Sequence, residues 1–176
     1  SVNKILLTNE TSTKLYKDQT LFIPLEKKSP KNFELKSNKK YKIGLLLPFY
    51  KNLNDTLTAS FEDKEEASGI ILGKSVMALE FMQGVDLALD SIKKLGIAID
   101  MNVIDTRNDS AKVVDIIKSK VLDTMDLIIG PIYSRNMQLV SEKYGSDRDK
   151  IIISPLSKSS DFLKNQISTV QINTPF

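Results

Sequence analysis

The sequence predicts an α/β protein: a doubly wound parallel sheet of strand order 2-1-3-4-5 with helices on both faces, preceded by a small α+β element. Three observations carry this. From residue 41 onward, short apolar runs alternate with longer segments whose apolar residues recur at helical spacing. The runs "GLLL", "LII" and "III" are continuous rather than alternating, as in strands covered on both faces. Each run is followed at once by a loop rich in Pro, Gly, Ser or Asp. Strand–helix–strand units cross over right-handed, so every strand's carboxyl end comes to one edge of the sheet.

In chain order, residues 1–25 show a short helical pattern, a polar loop and the strand "TLFIPL". The opening "SVNKILLTNE" has no Met and starts in mid-pattern, and "VQINTPF" ends abruptly, so the chain reads as a mature or partial piece of something longer. Residues 26–40, "EKKSPKNFELKSNKK", are Lys-rich with few apolar residues and read as a basic linker. The first strand is "YKIGLLLPF", 41–49, ended by Pro48. Segment 51–74 has mixed charge and no clean period, and reads as a long insertion loop.

A helix is expected from about Ser75, a plausible N-cap. Met77, Ala78, Phe81, Met82, Val85, Leu89 and Ile92 form its apolar face, and Gly96 marks its exit. "IAIDMNVID", 97–105, is the second strand. Residues 108–122 start at cap-type residues and carry a helical stripe. "DLIIG" is a third strand, "SRNMQLVSEKY" a helix capped by Ser134, "KIIISP" a fourth strand, "SKSSDFLKN" a short helical turn and "STVQIN" the last strand.

Composition narrows the chemistry. The 176 residues are 41% hydrophobic and 27% charged, a globular balance. A net charge of +3 without an Arg cluster argues against nucleic acid. With no Cys and no His, disulfides, thiol nucleophiles, imidazole acid–base chemistry and nearly all zinc sites are excluded. No phosphate loop, dinucleotide fingerprint or nucleophile elbow is present, so no cofactor is expected. "DTRND" holds Asp105 and Asp109, but an acid–base pair needs a substrate between the two carboxyls and a raised pKa. Asp109 reads instead as a helix cap and Asp105 as a strand-end residue that bonds loop amides. "DTRNDS" lacks the glycine and distal glutamate of a calcium loop. No catalytic residue and no metal is assigned, and the chain is read as a non-enzyme.

Four loops leave the carboxyl ends of strands: "PFYKN", "DTRND", "GPIYSRN" and "SPLSKSS". Ligands of open parallel sheets bind outside this edge. Gly130 lets the backbone approach closely, and Pro131 fixes the next φ. Ser134, Ser154, Ser157 and Ser159 put hydroxyls beside helix starts, whose amides favour an anion. Two uses stay open for Ser134 and Ser157: helix capping alone, or contact with the carboxylate of a ligand.

Taken together, "YKIGLLLPF", "SVMALEFMQGVDLALDSIKKLGI", "VIDTRNDSAKV", "DLIIGPIYSRNMQLVSEK" and "IIISPLSKSS" resemble the first lobe of type 1 periplasmic binding proteins of the Leu/Ile/Val-binding kind. The resemblance covers residues 41–176. It implies that Tyr133, Ser134, Ser154, Leu156 and Ser157 hold an amino-acid-like ligand. Residues 1–25 are similar to the second half of a LysM domain, on Leu21, Ile23 and Pro24 of "LFIP". That implies peptidoglycan binding through Asn9, Thr11, Ser12 and Lys14, in the manner of LysM units fused to such lobes in Bacteroidetes-type envelopes.

The second lobe of that family is absent from this chain, and Ile132-Tyr133 stand where the family has small residues. The expectation is therefore a non-enzymatic, periplasmic, outer-membrane-associated envelope protein. It would bind peptidoglycan or serve as a scaffold subunit, with an outer-membrane protein complex as partner. The alternative is a periplasmic solute-binding protein for an amino acid or amide.

Overall fold

A parallel sheet ordered β2-β1-β3-β4-β5 organises the chain, the order expected from the sequence. The computed structural model describes residues 39–61 and 70–173. The LysM-like element 1–25, most of the linker 26–40, and residues 62–69 of the segment 51–74 lie outside the described residues. The strands are β1 Lys40–Leu47, β2 Ala98–Asp105, β3 Leu127–Ile129, β4 Ile151–Ser154 and β5 Thr169–Gln171. The helices are α1 Lys51–Ala59, α2 Gly73–Lys94, α3 Ser110–Lys118 and α4 Ser134–Tyr144. Single 3-10 turns occupy Val121–Thr124 and Asp161–Leu163.

The strand period of two separates two cores. Leu46, Ile128 and Ile152 face α3 and α4, packing on Val113, Ile116, Met137 and Val140. Leu45 and Leu47 face α2 through Ala78, with Phe81, Met82 and Val85 around it. Burying each such leucine fully stabilises the fold by roughly 1.5–3 kcal/mol. Helices thus lie on both faces of the sheet. The cover is uneven, though. On the α2 face, Ile151 of β4 is 54% exposed and Val170 of β5 is 51% exposed.

Three sequence expectations change. Segment 51–74 is not all loop, because Lys51–Ala59 form α1. That helix buries no residue, so it leaves no apolar stripe for periodicity to detect. Second, Ser75 is not an N-cap. The helix starts two residues earlier, after Leu72, and the Ser75 hydroxyl donates to Phe49 O at 2.8 Å and accepts from Asn54 Nδ2 at 2.9 Å. Third, the helix expected over 108–122 ends at Lys118 and passes into the 3-10 turn through left-handed Lys120. Its cap is Asp109, as expected, which accepts from Ala111 N at 2.8 Å. Gly96 closes α2 at φ +77°, the left-handed exit that glycine favours.

The amino edge of the sheet is held by charge. Buried Lys150 donates from Nζ to the carbonyl of Asp123 in the first 3-10 turn and to that of Met125 just after it. Tyr144 donates to Asp123 Oδ1 at 2.7 Å. Burial, then this carboxylate, pushes the Tyr144 phenol well above its usual range. Asp126 accepts from Lys39 Nζ at 2.7 Å and from Lys42 N at 2.8 Å, and the Lys39 ammonium holds its carboxyl below the usual value. A depressed folded-state pKa contributes stability above the unfolded value, and that contribution is lost as pH falls through the folded one. Asp126→Asn is therefore expected to lower the urea midpoint at pH 6, with the gap to the native protein closing towards pH 3. Urea titrations of both proteins across that range check this.

Candidate functional site at the carboxyl edge of the sheet

Asp105, the last residue of β2, joins two loops of this edge. Its Oδ1 accepts from Phe49 N at 2.9 Å, Tyr50 N at 3.1 Å and Arg107 N at 2.9 Å, and its Oδ2 from Lys51 N at 2.8 Å. A carboxylate that already accepts from several N–H groups is a brace, not an acid–base catalyst, in line with the strand-end role expected of it. From the other side, Asn54 Nδ2 donates to Phe49 O at 2.9 Å while its Oδ1 accepts from Leu72 N at 2.9 Å. Between these two clamps Tyr50 adopts a left-handed backbone, φ 53° and ψ 40°, at the N-cap of α1.

In the third loop, Gly130 sits at φ +88° ahead of a cis Gly130–Pro131 bond, and its N–H donates to Ile153 O at 2.8 Å. A Cβ there would run into the Leu46 carbonyl oxygen, so a close backbone approach does require glycine. Ile132 is 4% exposed and packs with Leu45, Leu47 and Ala78. It is a core residue, so the crowding expected of Ile132-Tyr133 rests on Tyr133 alone.

Ser134 is not the cap of α4 either. The N-cap is Tyr133, which makes no capping bond, and Ser134 is the first helical residue. The hydroxyl of Ser134 lies 2.5 Å from that of Ser157. Because Ser157 Oγ donates to Ser159 O at 3.1 Å, the proton between the two serines belongs to Ser134. This bond latches the loop after β3 to the loop after β4. Ser157 O in turn accepts from Gln171 Nε2 at 2.8 Å. Ser154 is fully buried at the end of β4, opposite Gln171 in the register. Among the described residues, Ser154 Oγ and Gln171 Oε1 have no hydrogen-bond partner in the protein. The structure thus brings Ser134 and Ser157 into contact, leaves Tyr133 and Leu156 on the surface, and buries Ser154 at the end of β4. Asn9, Thr11, Ser12 and Lys14 lie outside the described residues.

Sequence reasoning did not single out Tyr50, Asn108 or Asn136. Burial, then the neighbouring Tyr133, push the pKa of the Tyr50 phenol up. Lys74 Nζ stands 4.4 Å from the centre of the Tyr50 ring, within cation–π range. Buried Asn136 donates to Asn108 Oδ1 at 3.3 Å and accepts from Ser110 Oγ at 2.7 Å. Left-handed Arg107 and Asn108 form the turn that presents this network. The one available signal was "ND" in the "DTRND" loop, since Asn tolerates the left-handed region. A polar cleft of about 660 Å³ opens here, lined by Asn108, Asp109, Ser110, Arg135 and Asn136 at the starts of α3 and α4. An apolar cleft of about 470 Å³ lies on the β2 side, lined by Phe49, Ile71, Leu79 and Val103.

Solved structures share this fold. An ABC transporter substrate-binding protein from Desulfitobacterium hafniense, solved in complex with Leu, matches with a TM-score of 0.54 at 19% identity over 78% of this chain and 35% of that one. A branched-chain amino acid ABC transporter protein from Rhodospirillum rubrum matches with a TM-score of 0.57 at 17% identity, over 78% of this chain and 35% of that one. A solute-binding protein from Rhodopseudomonas palustris, in complex with 3,4-dihydroxybenzoic acid, gives 0.54 at 13% identity over 77% and 32%.

This chain folds like part of a type 1 periplasmic binding protein. It spans about a third of the length of these proteins. No family model and no curated relative matches the sequence.

The structural neighbours overturn one functional expectation. They are ABC substrate-binding proteins, not peptidoglycan-binding or outer-membrane scaffold proteins. The scaffold reading drew its weight from a short motif in residues 1–25 and from bulk at Ile132-Tyr133, half of which is core. Neither the LysM resemblance nor the outer-membrane partner finds support among these neighbours.

Proposed function

We propose that the carboxyl edge is one wall of a solute site, and that the protein is a non-enzymatic periplasmic solute-binding protein for an amino acid or amide. The Ser134–Ser157 hydroxyl pair is the observation that carries this. It joins the loops after β3 and β4 at the start of α4, where the first helical N–H groups have no partner within the helix. A ligand carboxylate placed there meets those N–H groups and the positive end of the helix dipole, beside the loops that the serine pair holds together. Tyr133 and Leu156 border the site from the surface, and Ser154 supports it from below. The Leu bound by one structural neighbour is consistent with this ligand class.

A thermal-shift screen of the full-length protein against amino acids and their amides tests the reading. A ligand that binds only the folded state at a hundred times its Kd stabilises it by about 2.7 kcal/mol. The expected result is a raised melting point for at least one compound, with the shift reduced in Ser134→Ala and Ser157→Ala. Absence of any shift at millimolar concentrations would sink the proposal.

A further inference from the structure

β2 ends the sheet on one side. All eight of its residues, Ala98–Asp105, pair with β1 in unbroken register, and among the described residues no strand lies on its other side. Thr106 N donates to Leu47 O at 2.9 Å, so the even-numbered residues here turn their backbone groups towards β1. Ile99, Met101 and Val103 therefore turn their N–H and C=O groups outward. Protein edges are commonly blunted by a lysine, a proline or a bulge. β2 has no Lys, no Pro and no break in its register.

The side chains are sorted by face. Met101 packs with Leu45, Leu47 and Ala78 on the α2 face, where Val103 is 46% exposed and lines the apolar cleft with Phe49, Ile71 and Leu79. Ile104 packs on the opposite face, and the strand period puts Asp100 and Asn102 there too. Asp100 brings its own counter-charge, since Lys40 Nζ stands 3.3 Å from its carboxylate. The Asn102 amide has a weak partner, Met125 Sδ at 3.8 Å.

This strand is complementary to itself in one antiparallel register. Centred on Asp100, two carboxylates would stand opposed, which is destabilising. Centred on Asn102, Asp100 would face Ile104. Centred on Met101, Ile99 faces Val103, Met101 faces Met101, Ala98 faces Ile104 and Asp100 faces Asn102. Each apolar residue then meets an apolar one, and each carboxylate meets an amide that can donate to it. The outward groups of Ile99, Met101 and Val103 meet as closely spaced hydrogen-bonded pairs. The second copy's Ile99 lies against Val103, at the apolar cleft.

We propose that the protein forms a two-fold dimer through β2, antiparallel and centred on Met101, which joins the two five-stranded sheets into one. The carboxyl edges of the two copies then point in opposite directions. The Ser134–Ser157 pair joins the loops after β3 and β4, beyond β1, so dimerisation leaves it open and does not depend on the solute-binding reading.

Sedimentation velocity of the full-length protein over a concentration series tests this. The native protein is expected to pass from monomer to dimer as its concentration rises. Val103→Lys puts a lysine on the edge at an already exposed position, and should weaken self-association at least about tenfold without lowering the melting point. Val170→Lys, on β5 at the opposite edge, should leave self-association unchanged. Met101→Cys reads the register. The chain has no cysteine of its own, and opposed Cα atoms about 5.5 Å apart are within reach of a disulfide, so mild oxidation should yield a covalent dimer. A protein that stays monomeric overturns the proposal, as does a dimer that survives Val103→Lys or is lost in Val170→Lys. A dimer that Val103→Lys abolishes but Met101→Cys does not trap overturns the register centred on Met101.

Discussion

Gly130→Ala lowers the stability of the fold by about 3 kcal/mol and its melting point by roughly 6–12 °C. Two penalties add. At φ +88° an L side chain is strained, a penalty of about 1–3 kcal/mol in such backbone regions. The new Cβ also meets the Leu46 carbonyl, which belongs to β1, an interior strand paired on both sides. Gly96 separates these effects. It too has positive φ, +77°, but nothing lies within 4 Å of where its Cβ would stand. Gly96→Ala is expected to show the strain alone, about 1 kcal/mol. Urea unfolding of both variants decides it. Equal losses would show that the Leu46 contact relaxes freely and that φ accounts for everything.

Asp105→Ala is the second large effect. It leaves the N–H groups of Phe49, Tyr50, Lys51 and Arg107 without their acceptor. Hydrogen bonds to a charged group contribute about 1.5–3 kcal/mol each, and loops relax towards water in part. A net loss of roughly 3 kcal/mol is expected, measured by chemical denaturation. Asp105→Asn should fall between the two, because an amide oxygen can replace Oδ1 while the amide nitrogen cannot accept from Lys51 N. Asp105→Ala releases the backbone that holds Tyr50 left-handed, whereas Asp105→Asn keeps the bond to Tyr50 N and loses the one to Lys51 N. Ligand affinity should therefore drop more than the loss in folded population explains. A variant that loses stability but keeps affinity would separate the brace from the site.

Much of this fold is legible in sequence because its physics is local. The continuous runs of β1, β3 and β4 announce strands buried on both faces, crossover handedness puts their carboxyl ends on one edge, and the expected order β2-β1-β3-β4-β5 is the one observed. Asp105 and Asp109 were also readable, since a short acid at a strand end or helix start has few other uses. The misreadings share one cause. Ser75 and Ser134 are residues of capping type near helix starts, yet their hydroxyls are taken by Phe49 and Ser157, 26 and 23 residues away in the chain. Periodicity holds no information about such partners. α1 was hidden because it buries nothing, and Tyr50 because its backbone is set by a carboxylate 55 residues further on. The functional misreading had the same character, in that a local likeness in residues 1–25 outweighed the fold of the larger unit.

The uneven cover of the sheet has a thermal consequence. The heat capacity gained on unfolding is set mainly by apolar surface newly exposed to water. Ile151 and Val170 are already half in water while the chain is folded. They add little to that increment, so it should lie below the usual value of about 12–15 cal/mol/K per residue. A smaller increment flattens the curve of stability against temperature. This fold should lose less of its stability in the cold than an equally stable sheet wrapped on both sides.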